Sequence, residues 1–397
     1  MNSLHRYPRI RVSGSPRERG FQYGSRARER VRAGMAGYER AFALSAGWTW
    51  EQAVDAVAHL VEPVRVAFPQ YLAEMEGIAE GAGLDVADVF TMNARTEVMW
   101  AATARQAEAD RAAFSRECSS FALLPQRTAS GHTLIGQSWD WLSHSFDTLV
   151  VLEVEQDGSP NFVTVVEAGL LAKTSMNSSG LAVAVNSLVT SADKAEPGLP
   201  FHVLIRAFAD CDTLTDAVYI ISKHQRSSSG NYLLAHADGL AVNLETTPGG
   251  YRGVTPQLPY RGALVHTNHF ISPVPGSQDV GHYAMADSLI RLQRVTAQVA
   301  ESEVSATVEA LHAALSDHAD FPAAVCCHPD PRSTDGLEWA TVAAVVMDLD
   351  EKVMYLSEGN PCQYPPELLS FDGLLAKPSP LAAARESVER ASVRTSL

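Results

Sequence analysis

The segment Arg-Glu-Cys-Ser-Ser-Phe-Ala-Leu-Leu at positions 116–124 separates two kinds of residue pattern in this chain. Before it, apolar residues recur every three to four positions, as on one face of a helix. After it, short β-branched runs alternate with turn residues, as in strands joined by hairpins. Cys118 stands at this change and is followed by two hydroxyl side chains. The sequence therefore predicts a mostly helical segment over residues 1–117 and a strand-rich core over residues 118–376.

The N-terminal segment carries a helix start at Ser15. Serine is a preferred N-cap residue, Pro16 suits the first helical position, and Glu18 adds an acid to the first turn. Helical spacing continues to about Ala46. Further helices are predicted over residues 50–66, 71–81 and 84–104.

In the core, β-branched runs predict strands over residues 119–124, 133–137, 148–155, 162–166, 181–188, 232–236, 240–245, 341–348 and 353–357. Tight-turn pairs such as Asp157-Gly158 separate these runs, which favours antiparallel pairing. Several runs are apolar throughout, as expected for sheets covered on both faces. Helical blocks at residues 201–224 and 280–315 supply the cover, so the fold class is α+β. Residues 377–397 are predicted to form a disordered tail.

Composition excludes several kinds of partner. The net charge of -15 argues against nucleic acid or an anionic membrane surface. No run of about eighteen apolar residues is present, so no membrane-spanning helix is expected. The start of the sequence lacks the apolar segment of a signal peptide. Five cysteines, an odd number, favour free thiols in a reducing cytoplasm.

Cys118 is the first candidate for chemistry. Its thiol can attack the preceding carbonyl, that of Glu117, and water can then release Cys118 with a free α-amino group. Such an amine has a reference pKa of about 8, so it can act as general base for the thiol of the same residue. Ser120 is a candidate helper for this self-cleavage. The alternative is that Cys118 is a small buried core residue and Ser120 an ordinary strand hydroxyl.

Two further side chains fit the same chemistry. Asp140 lies between Trp139 and Trp141, and a carboxylate in that setting needs a cation or a donor. The freed amine would be such a partner, although Asp140 can equally cap a turn after a strand. The amide of Asn268 can donate to an oxyanion during acyl transfer, or it can simply satisfy a turn.

Other polar residues near these motifs leave alternatives open. Asn177 and Asn186 either line the same cleft or end strands. His266 and His269 have an i, i+3 spacing that can bind a metal on a helix, with His328 as a third ligand. A strand end at this position argues against that metal site, and no metal is predicted.

In their order and spacing these segments resemble the isopenicillin N acyltransferase (acyl-CoA:6-aminopenicillanic acid acyltransferase) family of N-terminal-nucleophile hydrolases. The resemblance extends to about Phe371. It is carried by residues 14–24, the Cys118 segment, residues 137–141, 177–181 and 266–270, and the strand at 341–349. The resemblance implies a four-layer αββα sandwich, self-cleavage between Glu117 and Cys118, and a heterodimer of the two pieces.

By the same resemblance, Cys118 is nucleophile and base, Asp140 positions its amine, Asn268 belongs to the oxyanion hole, and Ser120 assists processing. Trp139, Trp141, Asn177, Asn186 and His328 become candidates for substrate binding. Two positions depart from the family: Glu117 replaces a glycine of the penicillin enzyme, and Val325-Cys326-Cys327-His328 replaces a segment that often holds an arginine. Any substrate carboxylate would then need Arg332 or another cation.

The resulting hypothesis is a cytoplasmic, self-processing enzyme that acts on a small linear amide through an acyl-cysteine thioester. Hydrolysis is favoured over transfer, because it needs no cofactor and an acyl-CoA co-substrate would need a basic anchor. An acyl-CoA-dependent or β-lactam-related acyltransferase is the alternative. A non-catalytic binding protein and a metal-dependent hydrolase are further alternatives. The expected partners are the amide substrate and the cleaved N-terminal fragment, and homo-oligomerisation is left open.

Overall fold

The computed structural model of the chain describes residues 6–103, 118–334, 336–371, 373–378, 381 and 383–385. The first helix, α1 (Pro16–Arg26), begins as predicted. The Ser15 hydroxyl accepts a hydrogen bond from the Glu18 backbone N–H, and the Glu18 carboxylate accepts one from the Ser15 N–H at 2.8 Å. This reciprocal pair is a capping box, which satisfies N–H groups that lack partners at a helix start.

Six further helices precede the described core: α2 (Arg28–Ala46), α3 (Trp50–Val57), α4 (Val61–Ala67), α5 (Pro69–Ala82), α6 (Val86–Asn93) and α7 (Arg95–Thr103). Helices α1 and α5 approach each other through glycines. A Cβ atom on Gly24 would lie 2.2 Å from the Ile78 carbonyl oxygen, and one on Gly77 would lie 2.1 Å from the Arg17 carbonyl oxygen. Only glycine therefore permits this backbone contact.

The strands in chain order are β1 (Arg9–Val12), β2 (Ser119–Leu123), β3 (Leu134–Leu142), β4 (Leu149–Val154), β5 (Phe162–Glu167), β6 (Thr174–Asn177), β7 (Leu181–Ser187), β8 (Gly230–His236), β9 (Leu240–Thr246), β10 (Val254–Gln257), β11 (Ala263–His266), β12 (Trp339–Asp348), β13 (Val353–Ser357) and β14 (Glu367–Ser370). Within the described ranges they form an eight-stranded sheet, β1-β4-β5-β6-β7-β8-β9-β10, and a six-stranded sheet, β11-β2-β3-β12-β13-β14.

Neighbouring strands are antiparallel except β1 and β4, which run parallel with Ile10 opposite Leu152. Strand β1 lies inside the segment predicted to be mostly helical, so that segment also adds an edge strand to the larger sheet. The alternating exposed and buried residues of β1 are typical of a strand with one covered face.

The two sheets are stacked, with β2 and β3 packed against β7 and β8. Helices α8 (Phe201–Ala209) and α9 (Leu214–Lys223) cover the outer face of the larger sheet. A short helix, α10 (Gly281–Ala284), leads to α11 (Asp287–Val295) and α12 (Val308–Leu315), and the last two pack against β11, β2 and β12 of the smaller sheet. The order is helix, sheet, sheet, helix, which confirms the predicted α+β sandwich with a helical N-terminal part.

Buried polar contacts join the N-terminal segment to the core. Arg95 forms an ion pair with Glu167, and both side chains are fully buried. The Tyr38 hydroxyl donates to the Glu167 carboxylate at 2.8 Å, and the Tyr7 hydroxyl donates to the Val342 carbonyl at 2.5 Å. These contacts do not depend on chain continuity near residue 117.

The C-terminal tail, predicted to be disordered, is described only in part. Arg385 contacts Asp238 at 2.6 Å, and most of the rest of the tail lies outside the described residues.

Among the helices that are described, none has the length and apolar character needed to cross a bilayer.

Candidate active site

Cys118 lies directly before strand β2 of the smaller sheet. Ser119 pairs with Ser138 of β3, so the continuation of this register sets Cys118 opposite Trp139. Residues directly opposite in an antiparallel pair share a sheet face, and alternate residues take opposite faces. Cys118, Ser120 and Trp139 therefore share the face toward the larger sheet. Cys118 is fully buried and forms no disulfide.

Asp140 lies within β3, which continues five residues beyond the predicted strand and does not end in a turn before this carboxylate. It pairs with Thr341 of β12, whose hydroxyl donates to Asp140 Oδ1 at 2.5 Å. The Thr341 Oγ1 atom in turn accepts the Cys327 N–H at 2.8 Å. The turn-cap alternative for Asp140 is therefore wrong, because the carboxylate is part of a buried cross-strand network.

A second network holds the main chain of Cys118. Asn186 Nδ2 donates to the Cys118 carbonyl oxygen at 2.8 Å. Asn186 Oδ1 accepts the Ser120 hydroxyl at 2.7 Å and Asn231 Nδ2 at 3.0 Å. The Asn186 amide is thus occupied by protein groups, and it orients Cys118 and Ser120 from the facing sheet. The sequence analysis assigns Asn186 to substrate binding, but in the structure its amide positions Cys118 and Ser120.

Arg291, on α11, is the functional candidate that sequence reasoning missed. Its Nη1 atom donates to the Cys118 carbonyl at 3.1 Å and to the Ser119 hydroxyl at 3.2 Å. Its Nη2 atom donates to Asn268 Oδ1 at 2.9 Å, and its Nε donates to Asp287 at 2.8 Å. One buried guanidinium therefore joins the predicted nucleophile to the predicted oxyanion-hole residue.

The charge of Arg291 is set by its neighbours. Burial lowers the pKa of an arginine, but the Asp287 and Asp140 carboxylates outweigh that effect, and the pKa of Arg291 lies above its ordinary value. Arg291 is therefore a permanent cation beside Cys118. Its sequence signal was weak: it shares the buried face of α11 with Ser288 and Val295, a position where an arginine is unusual.

Asn268 follows β11 and is fully buried. Because Arg291 binds its Oδ1 atom, the Nδ2 group points away from Arg291 and donates to the Ser187 carbonyl at 3.0 Å. Within the described parts of the chain, the second Nδ2 hydrogen has no protein acceptor. That hydrogen is what an oxyanion-hole donor requires.

The two tryptophans around Asp140 differ in their surroundings. Trp141 donates its indole N–H to the Tyr38 hydroxyl at 2.8 Å and stacks under Arg95, so it packs against the N-terminal helices. Trp139 has the buried Lys173 ammonium 5.3 Å from its ring centre. Its indole N–H and the Gln137 side-chain N–H group are buried and have no hydrogen-bond acceptor among the described residues. Both donors lie on the same face of β3 as Cys118.

Other predicted site residues lie elsewhere. The Asn177 side chain binds the Ala209 and Cys211 carbonyls at the far end of β7, so a role in substrate binding is not supported. Arg332 is exposed and pairs with Asp330, and it does not supply the missing cation. His328 lies in a separate cluster with two cysteines and a second histidine. Glu117, on the other side of the predicted cleavage site, lies outside the described residues.

The three histidines of the alternative metal site, which was not the prediction, do not come together. Both ring nitrogens of His266 are bound by protein, to the Thr267 carbonyl at 2.7 Å and to Glu245 at 2.8 Å. His269 contacts the Ser288 hydroxyl at 2.8 Å. Burial opposes ionisation of Glu245, yet hydrogen bonds from His266, the Ile271 N–H group and Ser272 hold its pKa below the ordinary value. The His266–Glu245 pair is therefore a buried polar support for β11.

The layer order and the cysteine at the head of a central strand define the class of N-terminal-nucleophile hydrolases. Within that class, the model of the family "AAT: Acyl-coenzyme A:6-aminopenicillanic acid acyl-transferase" matches residues 127–363. The chain belongs to this acyltransferase family. It is consequently an enzyme that acts on non-peptide amide bonds or transfers acyl groups.

Individual proteins show the same similarity. The chain is 26% identical over 322 residues to the 40 kDa form of acyl-coenzyme A:6-aminopenicillanic-acid-acyltransferase of Emericella nidulans, covering 80% of this chain and 84% of that protein. Among solved structures it is similar to the Caenorhabditis elegans N-acylethanolamine-hydrolyzing acid amidase ortholog (TM-score 0.43, 14% identity, 59% of this chain, 93% of that one). Another is penicillin V acylase from Agrobacterium tumefaciens (TM-score 0.41, 16% identity, 63% and 84%).

Proposed function

We propose that this protein is a self-processing N-terminal-cysteine amidohydrolase acting on a small linear amide. The observation that carries the proposal is the contact of Arg291 with both Cys118 and Asn268. A buried cation next to a cysteine stabilises the thiolate, which is the nucleophilic form. It also disfavours a second positive charge nearby, so it favours a neutral α-amine on Cys118.

The precursor would process itself at the Glu117–Cys118 bond. The Cys118 thiol adds to the Glu117 carbonyl, the C–N bond breaks, and the thiol proton goes to the departing nitrogen, which leaves a thioester. Water then hydrolyses the thioester to the Glu117 carboxylate, a free thiol and a free α-amine. Ser120 lies on the same sheet face and is the hydroxyl available to move a proton in this step.

In turnover, the α-amine of Cys118 takes the thiol proton while sulfur attacks the substrate carbonyl. The Asn268 amide, with Trp139 and Gln137 as further donors, stabilises the oxyanion. The ammonium returns its proton to the leaving amine, and water then cleaves the acyl-cysteine thioester. Asp140, together with Asp287, opposes the Arg291 charge.

The two pieces would remain together as a heterodimer. Strand β1, Tyr7, Tyr38 and Arg95 of the N-terminal piece make their core contacts without the bond that is cut. Transfer from an acyl-CoA donor to an amine is the alternative, and the name of the Emericella nidulans relative favours it. A cytoplasmic location stays a prediction from the cysteine content.

Intact mass and N-terminal sequencing of the purified protein test the proposal. We expect a large fragment that begins Cys-Ser-Ser-Phe in the wild type and an uncut, inactive chain in Cys118→Ala. A matched Cys211→Ala variant, which removes a buried thiol elsewhere, should process normally. A continuous wild-type chain that hydrolyses amides would refute the mechanism.

The same preparation separates hydrolysis from transfer. Acyl amines, including β-alanyl amides, are incubated with water as the only acceptor, and acyl-CoA thioesters are incubated with a primary amine. Release of free acid and amine supports hydrolysis. New amide formed only from acyl-CoA would establish the transferase alternative.

A further inference from the structure

Two histidines and two cysteines far apart in the chain meet at one point. His318 follows α12, Cys326 and His328 lie in the loop before β12, and Cys362 follows β13. Each side chain offers one ligand atom, and the four atoms all lie within 4.8 Å of one another. We call this group the Cys₂His₂ cluster. Neither the family assignment nor the proposed catalytic mechanism uses it.

Four of the six pairs of ligand atoms in the cluster have distances close to those of a tetrahedral zinc site, and all six lie within 4.8 Å. The Sγ atoms of Cys326 and Cys362 are 3.6 Å apart, and each lies 3.5 Å from His328 Nε2. The His318 and His328 Nε2 atoms are 3.1 Å apart. Zinc bonds are about 2.3 Å to sulfur and about 2.0–2.1 Å to nitrogen. At tetrahedral angles they place two sulfurs roughly 3.8 Å apart, a sulfur and a nitrogen roughly 3.5 Å apart, and two nitrogens roughly 3.3 Å apart.

The groups around the cluster are those of a supported metal site. Asn360 Nδ2 donates a hydrogen bond to Cys326 Sγ at 3.7 Å and another to the Cys327 carbonyl oxygen at 2.6 Å. The Phe321 ring packs against His328, with 5.6 Å between ring centres. Such outer contacts fix ligand orientation in metal sites. Cys326 is buried, whereas His318 and Cys362 are exposed, which leaves a route for an ion.

We propose that His318, Cys326, His328 and Cys362 bind one Zn²⁺ ion. Four protein ligands leave no open position, so the ion has a structural role and does not activate water. Binding releases the thiol protons of both cysteines, and two thiolates balance the charge of the ion. The sequence hid this site because Cys326-Cys327 lacks the usual ligand spacing and the other ligands are distant.

The ion would also support the candidate active site. Cys327 lies between two ligands, and its N–H binds the Thr341 hydroxyl, which donates to Asp140. Fixing residues 326–328 therefore fixes the donor that orients Asp140. This consequence rests on the proposed function, whereas zinc binding itself does not.

Metal content of the purified full-length protein tests the site directly. Expression with added zinc should give about one zinc per chain by elemental analysis. Replacement by cobalt should give the absorption of tetrahedral cobalt with thiolate ligands. Cys362→Ser and His318→Ala should lower zinc content at least several-fold. Cys211→Ser and His282→Ala, which change a cysteine and a histidine elsewhere, should not.

Stability supplies a second readout. A chelator should lower the melting temperature of the wild type and leave that of Cys362→Ser unchanged. Metal-free protein with four reduced ligands would overturn the proposal. So would a Cys326–Cys362 disulfide, detected as a loss of two hydrogens in the intact mass. Zinc retained at full content by both ligand variants would also refute it. Normal self-cleavage and turnover in zinc-free protein would reject only the link to Asp140.

Discussion

Replacement of Arg291 by glutamine tests the charge on which the proposed mechanism depends. The guanidinium lies 3.1 Å from the Cys118 carbonyl oxygen, so the α-amine of the processed residue would lie about 5–6 Å away by covalent geometry. At an effective dielectric constant of about 20, a unit charge at that distance contributes about 3 kcal/mol. Removing it therefore favours protonation of the amine, and about 3 kcal/mol corresponds to about 2 pH units.

The assay is the pH dependence of kcat/KM for hydrolysis of an amide by the mature enzyme. The acid limb of the profile reports protonation of the base, so in Arg291→Gln its midpoint should rise by about 2 pH units. Asp140→Asn removes the opposite charge, and its acid limb should move to lower pH. Acid-limb midpoints that shift in opposite directions in the two variants indicate a charge effect. General damage to the site would shift both midpoints in the same direction or shift neither.

Folding must be checked in the same samples. Arg291→Gln leaves the mostly buried Asp287 without its cation, a loss of about 3–5 kcal/mol. For 397 residues the entropy of unfolding is about 0.8 kcal/mol per kelvin, so the melting temperature should fall by about 4–6 °C. Arg291→Lys keeps the charge and should keep the wild-type pH midpoint. An acid limb that stays in place in Arg291→Gln would refute the assignment of Arg291.

Three further predictions concern the site and the fold. Asn268→Ala should still yield the two fragments, but kcat should fall by about 10²–10³, and an unchanged kcat would remove it from the oxyanion hole. Gly24→Ala forces a Cβ against the Ile78 carbonyl and should lower the free energy of unfolding by about 1–3 kcal/mol, whereas Gly34→Ala, whose nearest neighbour is a flexible methionine, should cost less. Glu97 lies in α7 and is fully buried, which raises its pKa above the ordinary 4.5. The folded chain therefore keeps a proton that the unfolded chain loses, so stability falls as pH rises above 4.5. The melting temperature of Glu97→Gln, measured relative to the wild type, should therefore increase from pH 4.5 to 7. A difference that does not change with pH would contradict this.

The sequence predicted elements whose signals are local. The capping box at Ser15 and the strands with β-branched runs appear as expected, because cap residues and side-chain periodicity act within a few positions. The sequence does not predict the short strands β1, β6, β10 and β14, which have four residues each and whose pairing depends on distant partners. For β11, also of four residues, it predicts only a strand end. In β1, exposed arginines alternate with buried Ile10 and Val12. Four residues of this pattern are too few to predict a strand without knowledge of its partner, β4.

The candidate site shows the same limit. Cys118, Asp140 and Asn268 were found by residue type and resemblance, and the structure gives Cys118 and Asn268 a common neighbour in Arg291. Arg291 was missed because an arginine in a helix is normally exposed, and its burial depends on Asp287 and on the start of β2. His328 was assigned to substrate because its partners at 318 and 362 are too distant in sequence to suggest a cluster.

The sequence resemblance led us to expect an arginine near Val325-Cys326-Cys327-His328, and Arg291 offers the proposed mechanism a cation from another element. The proposed chemistry uses a cation beside Cys118, whichever chain element carries it. Here α11 carries the cation over the Cys118 carbonyl, so the loop before β12 is free to hold Cys326 and His328. The same loop keeps a link to the site through the Cys327 N–H and Thr341. In the proposed scheme, α11 thus supplies the cation near Cys118, and the loop before β12 supplies two ligands of the Cys₂His₂ cluster.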